Sequence, residues 1–453
     1  MERTHGPISI DTVSHVARYL HKMRFSSLLF FSAFLFSLFC SCVWNDTDYD
    51  SSYLPLDDSE YPYAGLFRLV IETDDFEQIN DRETKHSARL QIYGEKAPTS
   101  DIKKLTVKGR GNSSFIMAKY GMKLEFENKE ELFGMPRNRD WDLVANHRDK
   151  SLLRNYITYQ LADLLDDEYA PRSTFVEVFL NREYMGLYQL VEHMKVAKKR
   201  INIPENDESF LFEKTTATTT GVEANNDSEN GENDVKYIST DKSIIISSLG
   251  YIFQINSPKE PSSYSVDLLK NHIDSLETFL QGKGVYSMDS IARWIDIDDF
   301  VRYYMIQEFT KNLDGAFRRS IYMTWLSGDV LRMGPVWDFD LGYGLSSSEK
   351  VSPEGWYTRK YGWYRFLFKS DKFKEAVSNY WDAHKDKFAA LEDSLESASF
   401  RLKRATKNEF KRWPILEACD YWPFIESYDN YEEAIDSLKA WIEARWDWVD
   451  ENL

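Results

Sequence analysis

Three carboxylates in two short segments are the residues best suited to chemistry. Asp314 lies in TKNLDGAFRRS, and Asp338 and Asp340 lie in GPVWDFDLGYG. A helix is expected to end near Asn312, with Asp314 opening an irregular turn at Gly315, while Asp338 and Asp340 close a strand. On an extended backbone, residues two apart face the same way. Two carboxylates on one face, with a third returned by a hairpin, can hold a hard cation through oxygen ligands or accept a proton. A lone aspartate would be a solvated turn cap; clustering with Trp337 and Phe339 favours a site. A second cluster, VKGRGNSSF, sets Gly109 and Gly111 around Arg110 and leads into Asn112, Ser113 and Ser114. Glycines admit close backbone approach, and an Arg with two hydroxyls suits phosphate oxygens. An ordinary glycine hairpin explains this cluster equally well. Lys123, in YGMKLEF, can point back at the same phosphates or be a solvated strand lysine. A third cluster, Trp141 with Asp142, Asn146, Asp149, Arg154 and Asn155, reads as a structural polar network under a helix N-terminus.

The elements that must position these groups change character along the chain. LFRLVIET, ARLQIYG, KLTVKGRG and KLEFEN are alternating or β-branched runs separated by charged turns. TFVEVFL and YMGLYQLVEH flank a polar turn at Asn181 and predict a hairpin, making six strands. Between the two groups, Leu152, Leu153, Tyr156, Ile157, Leu161 and Leu164 have helical spacing, with Asp149 or Ser151 as the cap. The expected layout is a leader at 1–42, a flexible acidic tether at 43–65 and a β-rich lobe at 66–213. A mobile polar insertion at 214–242 and a mainly helical lobe at 243–453 follow. The insertion, TTATTTGVEANNDSENGENDVKY, lacks the apolar residues needed to offset ordering entropy. The helical lobe carries the three aspartates.

Composition removes whole classes of function. Of 453 residues, 56 are Lys or Arg and 74 are Asp or Glu, a net charge of −18 that argues against nucleic acid as a partner. Three cysteines cannot build a disulfide framework or a four-thiolate zinc site. HExxH, paired CxxC, GxSxG and the P-loop are all absent, and no two histidines have ligand spacing. Residues 25–42, FSSLLFFSAFLFSLFCSC, follow Arg24 and are short for a bilayer span, so they read as an export signal. Ser41 before Cys42 resembles a lipoprotein processing site, which makes Cys42 the expected acylation point and the cell envelope, at the outer membrane or surface, the expected location. Met23-Arg24 looks like the natural start of that leader.

Read in order, RGNSS, KLEF, LFGMPRNRDWDLVANHRDKSLLRN, PRSTFVEVFLNREYMGLYQLVEH, KKRINI, TKNLDGAFR and GPVWDFDLGYG resemble the spore-coat-H (CotH) kinase family. The resemblance covers roughly Leu66 to Leu453. It implies an α+β, atypical protein-kinase-like fold of two lobes, with ATP and Mg²⁺ or Mn²⁺ between them. It makes Asp314 the catalytic carboxylate that orients or deprotonates a Ser/Thr hydroxyl of a protein acceptor. Asp338 becomes the metal-binding aspartate, assisted by Asp340. Arg110, Asn112, Ser113 and Lys123 take the nucleotide phosphates, and Glu192 an adenine-side place near the hinge. The chain departs from ordinary kinases in three ways: Arg319 stands five residues after Asp314 where an Asn would hold a second metal, no His-Arg-Asp precedes the turn, and the first helix offers Lys123 no Glu. An inactive envelope scaffold or adhesin, or AMP transfer by the same carboxylates, therefore stays open, all the more because ATP is scarce outside the inner membrane.

Overall fold

A computed structural model describes residues 53–217, 223–225, 236–238, 241–282, 287–345, 352–417 and 427–453. The leader, Cys42 and the start of the tether lie outside these residues. The β-rich part is a barrel. Strands β1 (Arg68–Thr73), β2 (His86–Tyr93), β3 (Lys103–Arg110), β4 (Gly121–Leu132) and β5 (Met135–Val144) run antiparallel in succession. After helix α1 (Arg154–Leu164) come β6 (Ser173–Leu180) and β7 (Glu183–Glu192). β5 pairs with β7, β7 with β6, and β6 runs parallel to β1, which closes the sheet. Alternate residues point inward, among them Val107, Leu124, Trp141, Leu143, Val178 and Leu190, and fill the interior with apolar side chains. Each such side chain, fully buried, contributes about 1.5–3 kcal/mol.

The β-rich N-terminal region and the helical C-terminal region are as expected, and the β-rich part takes the form of a closed barrel. β5 is the strand that the six expected ones omit. Its outward positions include Asp140 and Asp142, buried under basic partners, and its sequence, MPRNRDWDLV, alternates polar and apolar residues only over Asp140–Leu143, with no β-branched residue before Val144. The hairpin at Asn181 is as expected, with Asn181 and Arg182 at φ 52° and 71°, the pair of left-handed residues that a two-residue turn of matching twist requires.

The tether is also corrected, because the chain is packed from Leu54 onward. Leu54 is buried against Val70, Tyr93, Phe179 and Tyr184, and its N–H donates to Gln91 Oε1 at 2.8 Å. Asp58 pairs with Arg68, and Tyr61 stacks on Tyr184 at 4.3 Å. Likewise, the insertion begins later than 214: Lys214 and Thr215 are buried in β8 (Ser209–Thr215). Within it β9 (Glu223–Asn225) and β10 (Lys236–Ile238) pair antiparallel, and 218–222, 226–235 and 239–240 lie outside the described residues.

β8 follows the barrel in the chain and is the central strand of a second sheet, in the order β11 (Ile244–Ile246), β12 (Ile252–Ser257), β8, β13 (Ile321–Leu326), β14 (Arg332–Met333). Helices Ser263–Gln281 and Ile297–Thr310 pack on it at β11 and β14, and Asp371–Ala389 and Tyr431–Asn452 pack in turn on Ile297–Thr310. Ser262, Asp296, Ser370 and Asn430 cap them, each side chain accepting from the N–H three residues on. Helix α1 starts at Arg154, with Leu153 rather than Asp149 or Ser151 at the cap position. Asp149 nonetheless does the capping work from five residues upstream, accepting from Arg154 N at 2.8 Å and Ser151 N at 3.0 Å.

Candidate functional site

A cavity of about 1000 Å³ lies between the barrel and the segments 313–322 and 337–341, and the glycine-rich turn, Lys123 and all three aspartates line it. The turn is built by glycines that nothing larger could replace. A Cβ on Gly109 would stand 2.0 Å from the Phe115 ring, and Gly111 has φ +97°. Arg82, which no sequence pattern marks, holds the turn by donating to Gly111 O at 3.0 Å and Asn112 Oδ1 at 2.7 Å. Ser113 Oγ accepts from Arg148 at 3.5 Å. Arg110 leaves the turn inward, 3.4 Å from Asp142 and over the Trp337 ring at 5.3 Å. Burial opposes its charge, but Asp142 and Asp338 more than offset that and raise its pKa.

Lys123 finds its carboxylate on the neighbouring strand rather than on a helix. Its Nζ is 3.2 Å from Asp140 and 3.0 Å from His193 Nε2, and His193 Nδ1 is 2.9 Å from Asp142. Burial works against ionised Asp140, yet Lys195 and Lys123 hold its carboxyl at about 2. Asp142 is likewise held low, by Arg110 and His193 against its burial. Of this web of two carboxylates and four basic groups, Arg110, Lys123, Asp142 and His193 line the barrel side of the cavity, and Asp140 and Lys195 support them from outside it. His193 lines the cavity and Asp140 holds Lys123 from behind it, and the sequence reading missed both; the only signal was a pair of acids alternating with Trp141 and Leu143.

Asp314 sits just after the helix Ile297–Thr310, where Lys311 reverses the chain at φ 44°. Asp338 does not close a strand: β14 ends at Met333, and Asp338 has φ +66°. Asp338 and Asp340 therefore do not share the one extended face expected from the sequence, but sit on a turn. Asp338 and Asp340 still line the same cavity because buried Phe339 between them is pinned, its N–H donating to Asn155 Oδ1 at 2.7 Å. Asn155 donates in turn to Asn146 Oδ1 at 3.0 Å, and Asn146 to Gln189 Oε1 at 3.0 Å. Arg154 Nε donates to Gly342 O at 3.1 Å. Asn146, Asp149, Arg154 and Asn155 of the third sequence cluster thus form a structural network that holds the aspartate turn, whereas Asp142 faces the cavity with Arg110 and His193. Asn312 ties both acidic loops together, donating to Asp338 O at 3.0 Å and accepting from Asp314 N at 3.2 Å.

Electrostatically the aspartates crowd one another. Burial, then Asp338, raise the Asp314 pKa, against Arg319 and Arg318. Burial, then Asp338 and Asp314, push Asp340 well above the usual carboxylate range, with Arg148 the cation that opposes them. Asp314 Oδ1 is buried and accepts no hydrogen bond among the described residues. A further buried acid, Glu213, shares the cavity, and burial lifts it to about 7.

Glu192 is not brought to this cavity, which corrects its adenine-side assignment. It is buried against Arg172 at 2.9 Å and Arg200 at 3.5 Å, and it lines a separate cavity of about 240 Å³. Its sequence position at the end of β7 is as expected, but its side chain faces the Lys198–Arg200 segment.

A family model described as CotH kinase protein matches residues 107–449, most of the chain. The comparison with curated proteins gives no match.

Proposed function

The chain belongs to the CotH kinase family, and on that premise we propose that it transfers the γ-phosphoryl group of ATP to a Ser/Thr hydroxyl of a protein acceptor. The observation that carries this reading is the meeting, in one cavity, of the RGNSS turn, Lys123, Asp314, Asp338 and Asp340, which come from two segments about two hundred residues apart. Positioning and electrostatics are what phosphoryl transfer demands of a protein. The turn and Lys123 form the basic side of the cavity and would take the phosphates. Asp314 would orient the acceptor hydroxyl and receive its proton as the oxygen bonds to phosphorus and the bond to the departing ADP oxygen breaks. Burial and Asp338 make that carboxylate more basic than usual, which suits the task.

The residues fit a divalent cation in a specific way. Asp338 and Asp340 are hard oxygen donors whose mutual repulsion, together with Asp314, calls for positive charge. Among the described residues no three His, Cys, Asp or Glu form a ready cage. A cation held by Asp338 and Asp340 would complete its shell with phosphate and water oxygens, as Mg²⁺ ordinarily does. When bound, it would neutralise the phosphate charge.

The test is incorporation of label from γ- and α-labelled ATP by the full chain with Mg²⁺ or Mn²⁺, against Asp314→Ala and Asp338→Ala. Incorporation of γ-label, lost in both variants, supports the kinase. Label from the α position alone would move the assignment to AMP transfer, and none from either would leave a binding module. The envelope location is part of the same proposal, since acylation at Cys42 would anchor the chain to a membrane. Metabolic labelling with palmitate that persists in Cys42→Ala would refute it.

A further inference from the structure

We propose that Arg319 supplies, from within the chain, the positive charge that a second divalent cation provides in an ordinary protein kinase, so that nucleotide binds here with a single cation. This rests on the nucleotide-binding reading of the preceding section. In an ordinary kinase the second cation is held by the oxygen of an Asn that follows the catalytic Asp. At the corresponding place, five residues after Asp314, the chain carries Arg319, a group with N–H donors only that cannot ligate a metal.

The geometry shows where that charge goes. Arg319 Nε lies 3.1 Å from Asp314 Oδ2, and Arg318 Nη1 lies 3.7 Å from Asp314 Oδ1. The next residue, Ser320, donates its hydroxyl to Asp338 Oδ2 at 2.9 Å. The turn therefore sends two consecutive side chains to Asp314 and to Asp338, the second being the counterpart of the carboxylate that in a kinase shares the cations with that Asn. One brings a permanent charge and the other occupies a carboxylate oxygen. Three aspartates and Arg319 then need one further cation at Asp338 and Asp340, whereas a second would face a guanidinium at close range. A guanidinium is also suited to the phosphate side of the cavity, because its planar fork can contact phosphate oxygens that a metal would otherwise bridge. Arg319 is partly exposed to the cavity and lines it together with the glycine-rich turn.

The experiment counts Mn²⁺ by electron paramagnetic resonance on the full chain saturated with a non-hydrolysable ATP analogue. The wild type should bind about one Mn²⁺ per chain, and Arg319→Asn, which restores an oxygen ligand, about two. Arg319→Lys, which keeps the charge, should stay at the wild-type count. Two Mn²⁺ in the wild type overturns the proposal whether or not any variant folds. A folded Arg319→Asn chain that binds the analogue and keeps the wild-type count overturns it as well. Failure of the wild type to bind the analogue at all would instead refute the nucleotide reading on which the inference stands, and the inference with it.

Discussion

Glu409→Ala tests how the glycine-rich turn is held against the rest of the molecule. Lys119, a few residues after that turn and lining the same cavity, has a fully buried ammonium 2.6 Å from Glu409 Oε1 and 2.6 Å from Leu187 O. Glu409 Oε2 accepts from Leu187 N at 2.7 Å, beside Gly186 at φ +112°, where a Cβ would stand 2.4 Å from that oxygen. The helix Ala405–Arg412 is thereby bolted to β7. Burial lowers the Lys119 pKa and raises that of Glu409, and in each case outweighs the attraction of the partner. The pair is thus poorly repaid for leaving water, and removing one member strands the other. Glu409→Ala should cost about 3–5 kcal/mol, a large part of an ordinary domain's 5–15 kcal/mol. The double variant Lys119→Met with Glu409→Gln, which keeps an acceptor for Leu187 N and removes both charges, should cost only about 1–2 kcal/mol. Urea unfolding followed by tryptophan fluorescence measures both, and the single variant should also melt on the order of 10 °C lower. If the single loses less than about 1 kcal/mol, or the double is as unstable as the sum of its parts, the account of a desolvated pair is wrong.

Three further outcomes follow from the site. Gly315→Ala would place a Cβ 1.7 Å from Gln307 Oε1; the displaced turn should cost about 1–3 kcal/mol and lower kcat more than it raises KM, as steady-state kinetics beside unfolding would show. Asp140 has a folded pKa of about 2 against an ordinary 3.8, so its stabilisation is present above about pH 4 and lost as pH falls toward 2. Asp140→Asn should therefore lose about 1–2 kcal/mol at pH 7, allowing for solvent screening, and flatten the acid limb of a stability-against-pH curve. Glu192→Gln should leave ATP affinity by calorimetry unchanged while lowering stability by about 1–3 kcal/mol, because Glu192 holds Arg172 and Arg200 rather than a ligand; a large loss of affinity would return it to the nucleotide site.

Periodicity and motif types were enough to read six of the barrel strands, the hairpin at Asn181, the main helices and the candidate status of Asp314, Asp338, Asp340, Arg110 and Lys123. These are local properties: alternation, helical spacing and turn chemistry act within a few residues, and the acidic and glycine-rich clusters stand out because each is dense in one short segment. Closure of the barrel is not local, since it depends on β1 Arg68–Ile71 lying parallel to β6 Glu177–Leu180, a pairing of residues about a hundred apart. β5 hid because MPRNRDWDLV is half charged or polar with only Trp141 and Leu143 alternating, and the groups that receive its outward acids, Arg110, Lys123, His193 and Lys195, come from other strands or from just beyond the barrel. For the same reason Asp338 and Asp340 share a cavity through a left-handed turn pinned by Asn155, not through strand alternation. Side-chain direction decided Glu192, whose place in the chain put it near the site and whose rotamer turned it to Arg172. What the sequence determined was which residues carry charge and where short elements form; which carboxylate meets which cation was settled only by tertiary packing, because burial and pairing between distant segments set both.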